Sequence, residues 1–271
     1  MPYQMLNGVR YHYQDIGMGQ ETIVFAHGVI MSSESFHPQL QALSKQYRCI
    51  AFDWRGHGLT EQPLTGYDVD TSLFSDAVAL LQHLDLQHVH FVGVALGGFI
   101  GLRLALRHPE VLRSLTLLAS AADAEPASQV RRLVLLSRIA RYTGIKPFAG
   151  SIVNAQFAQQ FLREPDSQAE RQYWQNYFTT FSSQTITTAL IHEVQHQGLR
   201  WDEIAHITTP TLIIHGDEDS AIDWKRAQHT AEAIPQSRFV ILNGVGHSPT
   251  IEAPGIVNEL LQSFIATHSG Q

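Results

Sequence analysis

The chain has 271 residues, which at roughly 150 residues per domain allows one large domain or a core carrying an inserted module. With 44% hydrophobic and 16% charged residues and a mean hydropathy of −0.09 it has the composition of an ordinary soluble globular protein, which excludes a disordered or low-complexity chain. The 18 basic against 25 acidic side chains leave a net charge of −7; nucleic acid and anionic membranes both need a basic surface, so a small-molecule site is the expectation.

In chain order, Val9–Tyr13, Thr22–Ala26, Cys49–Phe52, His88–Gly93, Ser114–Leu118, Thr211–His215 and Arg238–Leu242 read as short β-branched or aromatic strands. Helix-length amphipathic stretches stand between them. Leu73, Ala77, Leu80, Leu81 and Leu84 recur at helical spacing, and so do Ile256, Leu260, Leu261 and Phe264. This alternation is the pattern of βα units forming a mostly parallel sheet. The lone cysteine, Cys49, falls in an apolar run and reads as a buried strand residue, so no internal disulfide exists. No signal peptide or membrane span is visible, which makes a cytoplasmic location the expectation.

The alternation breaks between Ala122 and Arg200, where no strand is legible and the segment reads as helices only. Its aromatics, Phe148, Phe157, Phe161, Tyr173, Trp174, Tyr177, Phe178 and Phe181, exceed what a solvated insertion needs, so one face is expected to cover something apolar. The strand pattern resumes after Pro210. Residues 1–121 and 201–271 are therefore expected to form one core, and 122–200 a helical cap inserted into it. Arg131, Arg132, Arg138, Arg141, Lys146, Arg163 and Arg171 in the insertion read as a solvated basic face, although any one would serve to pair an anionic substrate.

The most informative stretch is Phe91-Val92-Gly93-Val94-Ala95-Leu96-Gly97-Gly98, a strand entering a tight turn before a helix from Leu96 to Arg107. Small residues two before and two after position 95 are what such an elbow requires, since side chains there would collide as the backbone folds back. In the G-x-S-x-G form of this elbow the central serine is a nucleophile; here it is alanine. An acidic turn, Gly216-Asp217-Glu218-Asp219, follows the strand Thr211–His215, and Gly246-His247 follows the last strand. Elbow, acid, histidine is the chain order of the hydrolase elbow fold. Asp219 is the expected partner of His247 in preference to Asp217, Glu218 and Asp223, because in this fold the acid follows the strand end by that spacing. The backbone N–H groups of Val29, in His27-Gly28-Val29-Ile30, and of Leu96 are the candidate oxyanion donors. Asp53-Trp54-Arg55-Gly56-His57-Gly58 reads as a structural turn, with His57 a satisfied loop histidine.

With His27-Gly28, Asp53–Gly58, Gly93–Gly98, Gly216–Asp219 and Gly246-His247 in this order, nearly the whole chain resembles the α/β-hydrolase fold family, of the kind that includes 3-oxoadipate enol-lactonases, small carboxylesterases and cofactor-free haloperoxidases. The resemblance implies an eight-stranded, mostly parallel sheet flanked by helices, a helical cap that shapes specificity, and hydrolysis of small esters or lactones without a cofactor. It leaves the substrate and the oligomeric state open.

Alanine has no oxygen to attack a carbonyl. Either the alanine is an engineered replacement for serine that traps substrate, or it is natural, as in some relatives such as the aminoacrylate hydrolase of pyrimidine breakdown. In the second case His247, held by Asp219, would activate water directly; a non-catalytic ligand-binding protein is a further alternative. His192-Glu193-Val194-Gln195-His196 fits H-E-x-x-H, a zinc-site pattern on a helix. With 15 histidines a chance match is unsurprising, no third ligand follows in a recognisable motif, and no metal is expected.

Overall fold

The computed structural model describes residues 2–63, 68–181, 191 and 198–270. Eight strands form one sheet: β1 Tyr3–Leu6, β2 Val9–Ile16, β3 Thr22–Ala26, β4 Arg48–Phe52, β5 Val89–Val94, β6 Leu112–Leu118, β7 Thr211–Gly216 and β8 Ser237–Leu242, in the order β1-β2-β4-β3-β5-β6-β7-β8. The pairs β1–β2 and β2–β4 are antiparallel, and every pairing from β4 across to β8 is parallel. The reading of strands from apolar runs missed β1, which is mostly exposed. Its signal lay in the next two residues: Asn7 and Gly8 take φ of 47° and 79°, as a two-residue hairpin turn between right-twisted strands demands.

Helices α1 His37–Leu43, α2 Phe74–His83 and α3 Leu96–Arg107 follow in the first half of the chain. The stretch between β6 and β7 contributes α4 Ala127–Thr143, α5 Ala149–Gln156, α6 Gln159–Arg163, α7 Gln168–Phe178 and the short α8 Trp201–Ile204, with no strand among its described residues. The chain closes with α9 Trp224–Ala233, α10 Pro249–Glu252 and α11 Pro254–Thr267. β5 and β7 are buried along their whole length, which is why they read as unbroken apolar runs: helices cover both faces of a parallel sheet. Cys49 is fully buried in β4, and burial pushes its thiol up to about 12, so it is inert. Among the described residues no helix is long and apolar enough to cross a membrane.

The insertion's aromatics pack mainly on one another and on the body. Phe157, Trp174 and Phe178 are buried, Trp174 meets Tyr177 edge-on at 5.2 Å, and Tyr177 meets Phe181 at 5.2 Å. Tyr177 also donates to the Met31 carbonyl at 3.4 Å, which fastens α7 to the loop after β3.

Candidate active site

Ends of β3, β5, β7 and β8 meet along the carboxyl edge of the sheet, where open α/β sheets bind ligands. β5 stops at Val94, and Ala95 turns the chain into α3 with φ 44° and ψ −106°, a left-handed, strained conformation for a residue with a Cβ. The surroundings hold it there. Ala95 N–H donates to Leu118 O at 2.9 Å, and Ala95 O accepts from Phe99 N–H at 3.0 Å and from the Ser120 hydroxyl at 3.1 Å. A Cβ on Gly97 would stand 2.0 Å from the Ala26 carbonyl oxygen, and one on Gly93 2.3 Å from the Gly97 carbonyl carbon. Only glycine lets the helix start this close to the sheet.

The acid and the histidine come together. His247, in the loop between β8 and α10, places Nδ1 2.8 Å from Asp219 Oδ2. The competing acids are all engaged elsewhere. Asp217 accepts from Gly244 N–H at 2.7 Å, Glu218 from Gln159 N–H at 3.1 Å, and Asp223 caps α9 through Lys225 N–H at 3.0 Å. Asp219 is held on both oxygens. Its Oδ1 accepts from Ala221 N–H at 2.8 Å and Ile222 N–H at 2.9 Å, while Oδ2 also meets His215 Nε2 at 3.0 Å. Burial alone would raise this carboxyl, but the charge of His247 and the hydrogen bonds from His215 and His247 win and hold it far below the usual carboxylate range. An ionised carboxylate only accepts, so His247 Nδ1 carries a proton and Nε2 is the basic nitrogen.

The loop after β3 supplies a backbone donor. Gly28 O accepts from His27 Nδ1 at 2.6 Å and from Met31 N–H at 3.3 Å. The Gly28–Val29 peptide is trans, so its N–H points opposite to that carbonyl. A Cβ on Gly28 would lie 3.5 Å from the Ala95 Cβ, which puts this peptide beside the elbow. His27 is fixed in turn by Trp54, whose N–H reaches His27 Nε2 at 3.0 Å and whose indole donates to His27 O at 2.8 Å. Leu96, the first residue of α3 after its N-cap Ala95, has a backbone N–H with no carbonyl four residues back inside the helix.

Asp53–Gly58 is a turn stapled to the body, with Asp53 accepting from His12 Nδ1 at 2.8 Å and from Ser33 N–H at 2.7 Å. His57 departs from the satisfied loop histidine expected. Its Nδ1 pairs with Arg55 O at 3.1 Å, yet its buried Nε2 has no partner among the described residues, and burial lowers its pKa to about 3.

Above the His–Asp pair lies a cavity of about 490 Å³, within the range of small-molecule sites. Val29, Ile30 and His247 line it on the body side, and Leu133, Leu136 and Ala140 of α4 line it from above. Phe148 is the only one of the insertion's aromatics on its wall among the described residues, so the apolar surface offered to a ligand is mainly aliphatic. Of the insertion's basic side chains singled out above, only Arg132 reaches that wall. A second space of about 10 Å³ adjoins Gly28, Val29, Val94 and His247.

Some contributors escaped the sequence reading. His215 had merely strand-end periodicity to announce it. Glu252 accepts from Gly246 N–H at 3.0 Å, Ser248 N–H at 3.0 Å and Ala158 N–H at 2.7 Å, so it ties both flanks of His247 to the α5–α6 linker. Among the described residues no cluster of His, Cys, Asp or Glu is placed to hold a metal ion; the H-E-x-x-H stretch lies outside them.

Comparisons with known proteins agree with this architecture. The family model for the alpha/beta hydrolase fold matches residues 21–254. The chain is 29% identical over 260 residues to "Putative carbamate hydrolase RutD" of Stutzerimonas stutzeri (strain A1501), covering 92% of this chain and 93% of that one. It is 30% identical over 259 residues to the AB hydrolase superfamily protein YisY of Bacillus subtilis (strain 168), covering 93% of each. Among solved structures, the enol-lactonase from Burkholderia xenovorans LB400 superposes with a TM-score of 0.89 at 24% identity, over 98% of this chain and 100% of that one, a likeness of fold. The chain belongs to the α/β-hydrolase fold family.

Proposed function

We propose that this site hydrolyses small carboxylic esters or lactones through a nucleophile at position 95, with His247 as general base and Asp219 as its orienting acid. The observation that carries the reading is the 2.8 Å contact between His247 Nδ1 and Asp219 Oδ2, with His247 on the same small space as Val94, the residue before the strained elbow at Ala95. With a serine hydroxyl at residue 95, His247 Nε2 would take its proton as the oxygen attacks the acyl carbon. The Val29 and Leu96 N–H groups would then stabilise the tetrahedral oxyanion. Collapse of that intermediate would break the ester C–O bond, with the departing oxygen taking the proton back from His247. Water activated by the again neutral histidine would then cleave the acyl-enzyme to release the acid and restore the serine. Residues 122–200 serve as the cap that covers the acyl portion, and the aliphatic wall from α4 supports an apolar one. No step needs a metal or cofactor.

Alanine at 95 removes the covalent route from the chain as it stands. A second reading, in which His247 activates water for direct attack, is favoured by the space of about 10 Å³ beside His247 and Val29, about one water by this measure. Comparing the chain with its Ala95→Ser variant on short activated esters and a lactone panel separates the two: a large gain on introducing serine supports the covalent route, and equal turnover supports the direct one.

A further inference from the structure

The cavity wall holds an acceptor that none of the described residues uses. Glu125 lies between β6 and α4, and its side chain is 7% exposed. Its Oε1 takes Arg226 Nη1 at 2.8 Å, whereas Oε2 is buried with no partner among the described residues. Arg226 is clamped by Asp123 through Nε at 3.0 Å and by the Asp123 and Ala124 carbonyls at 3.1 and 3.2 Å. Glu125 is therefore held through one oxygen while the other makes no hydrogen bond to the described residues, on a residue that lines the same cavity as His247. Buried acceptors without donors are rare in native proteins and call for an explanation.

Charge favours a donor there. Asp123 and Glu125 share the single guanidinium of Arg226, so the cluster has a surplus negative charge and disfavours a carboxylate ligand. Arg132, on the same wall, is solvent-exposed and is the place where an anionic end would be met instead. Ser137 Oγ is also buried without a partner among the described residues, on this same wall. It lies ten residues along α4 from Ala127, roughly 15 Å of helix away, so it does not complete the Glu125 site.

We propose that Glu125 Oε2 is the recognition point of a substrate subsite that accepts an N–H or O–H donor, so that amide-, amine- or hydroxyl-bearing molecules are preferred over isosteres lacking the donor. This rests on the reading of the cavity as the hydrolase's substrate site, but its test needs no turnover. A site built around a buried acceptor rejects a ligand without the donor because the acceptor is then left unpaired.

The experiment uses the chain with Ala95 in place and measures, by calorimetry, binding of 4-phenylbutanamide and of its methyl-ketone isostere 5-phenylpentan-2-one. The amide is expected to bind about tenfold more tightly, the effect of one hydrogen bond to a charged group. In Glu125→Gln the side-chain oxygen stays on Arg226 and an NH₂ group replaces Oε2, so the preference should vanish while ketone affinity holds within about twofold. If the variant does not fold, the amide-to-ketone ratio of the unaltered chain decides. Equal affinities in that chain, binding of neither probe, or an unchanged ratio in a folded Glu125→Gln protein would each overturn the proposal. An amide preference without hydrolysis by the Ala95→Ser protein would leave the subsite standing and remove the hydrolase reading; hydrolysis without the preference would do the reverse.

Discussion

His215 reaches Asp219 at the same carboxylate oxygen that meets His247, with Nε2 3.0 Å from Oδ2. This nitrogen also meets Ile222 O at 2.9 Å, and since a carbonyl only accepts, Nε2 carries the proton and donates to both. In the proposed reading His215 is a positioning residue, acting on His247 through Asp219. Replacing it by leucine in the Ala95→Ser chain should lower kcat by about 10–100-fold, the loss of one hydrogen bond to a charged group. The acid limb of the pH–rate profile, which reports protonation of the general base, should also move up, because an Asp219 carboxylate with one donor fewer stabilises the His247 imidazolium more strongly. His215→Gln, which restores an N–H, should recover part of both effects. An unchanged acid limb in His215→Leu would mean that the contact is structural only.

Asp219→Asn in the Ala95→Ser chain should leave the fold intact and reduce turnover by about 10⁴, since the imidazole loses its tautomer control and the countercharge for the imidazolium. Circular dichroism and a thermal melt check the fold, and ester hydrolysis checks the rate. Comparable loss in Asp217→Asn, whose carboxylate holds Gly244 instead, would point to loop disruption as the cause.

Glu252 has a pH signature of its own. Burial raises its carboxyl from 4.5 to about 7, against the backbone donors that favour its charge. Between those two values the unfolded chain releases a proton that the folded chain keeps, so this group's contribution is complete below about pH 4.5 and is lost as pH rises through 7. Between pH 5 and 8 the chain should therefore lose stability relative to Glu252→Gln by an amount on the order of 3 kcal/mol at most. Urea unfolding of both proteins at the two pH values gives the difference, and parallel pH slopes would contradict it.

Glycines separate the elbow from the helices around it. Gly97→Ala puts a Cβ against the Ala26 carbonyl oxygen and should cost roughly 2–4 kcal/mol. Gly150, inside α5, has open space where its Cβ would stand, and Gly150→Ala should add about 0.5–1 kcal/mol. Chemical denaturation of the two variants tests the contrast.

The same contrast explains what was legible in the sequence. Gly93, Gly97, Gly98, Asp219 and His247 answer to local demands, a tight turn or a short loop after a strand, and local demands leave fixed spacings. Glu125 and Arg226, 101 residues apart, and Glu252, which joins α10 to a linker 94 residues earlier, are related only through the folded chain. The aromatics of 148–181 told of burial but not of which side would be buried. Helical spacing gives a face, and only packing decides whether it meets a ligand or, as with Trp174 and Phe178, the protein. Asn7-Gly8 carried the hairpin signal for β1, but the exposed residues before it hid the strand from a search for apolar runs.

The most direct test of the central claim is labelling of the Ala95→Ser protein by a fluorophosphonate probe, read alongside hydrolysis of short activated esters and lactones. The substitution adds one hydroxyl at an elbow already bent to present it, near a histidine already held by Asp219. Losing such a serine costs about 10⁶ in turnover elsewhere, with roughly 10³ over water left from the oxyanion donors and binding. The serine variant is predicted to be labelled at residue 95 and to exceed the alanine chain by several orders of magnitude in hydrolysis. A folded Ala95→Ser protein that is neither labelled nor faster than the alanine chain would contradict the account.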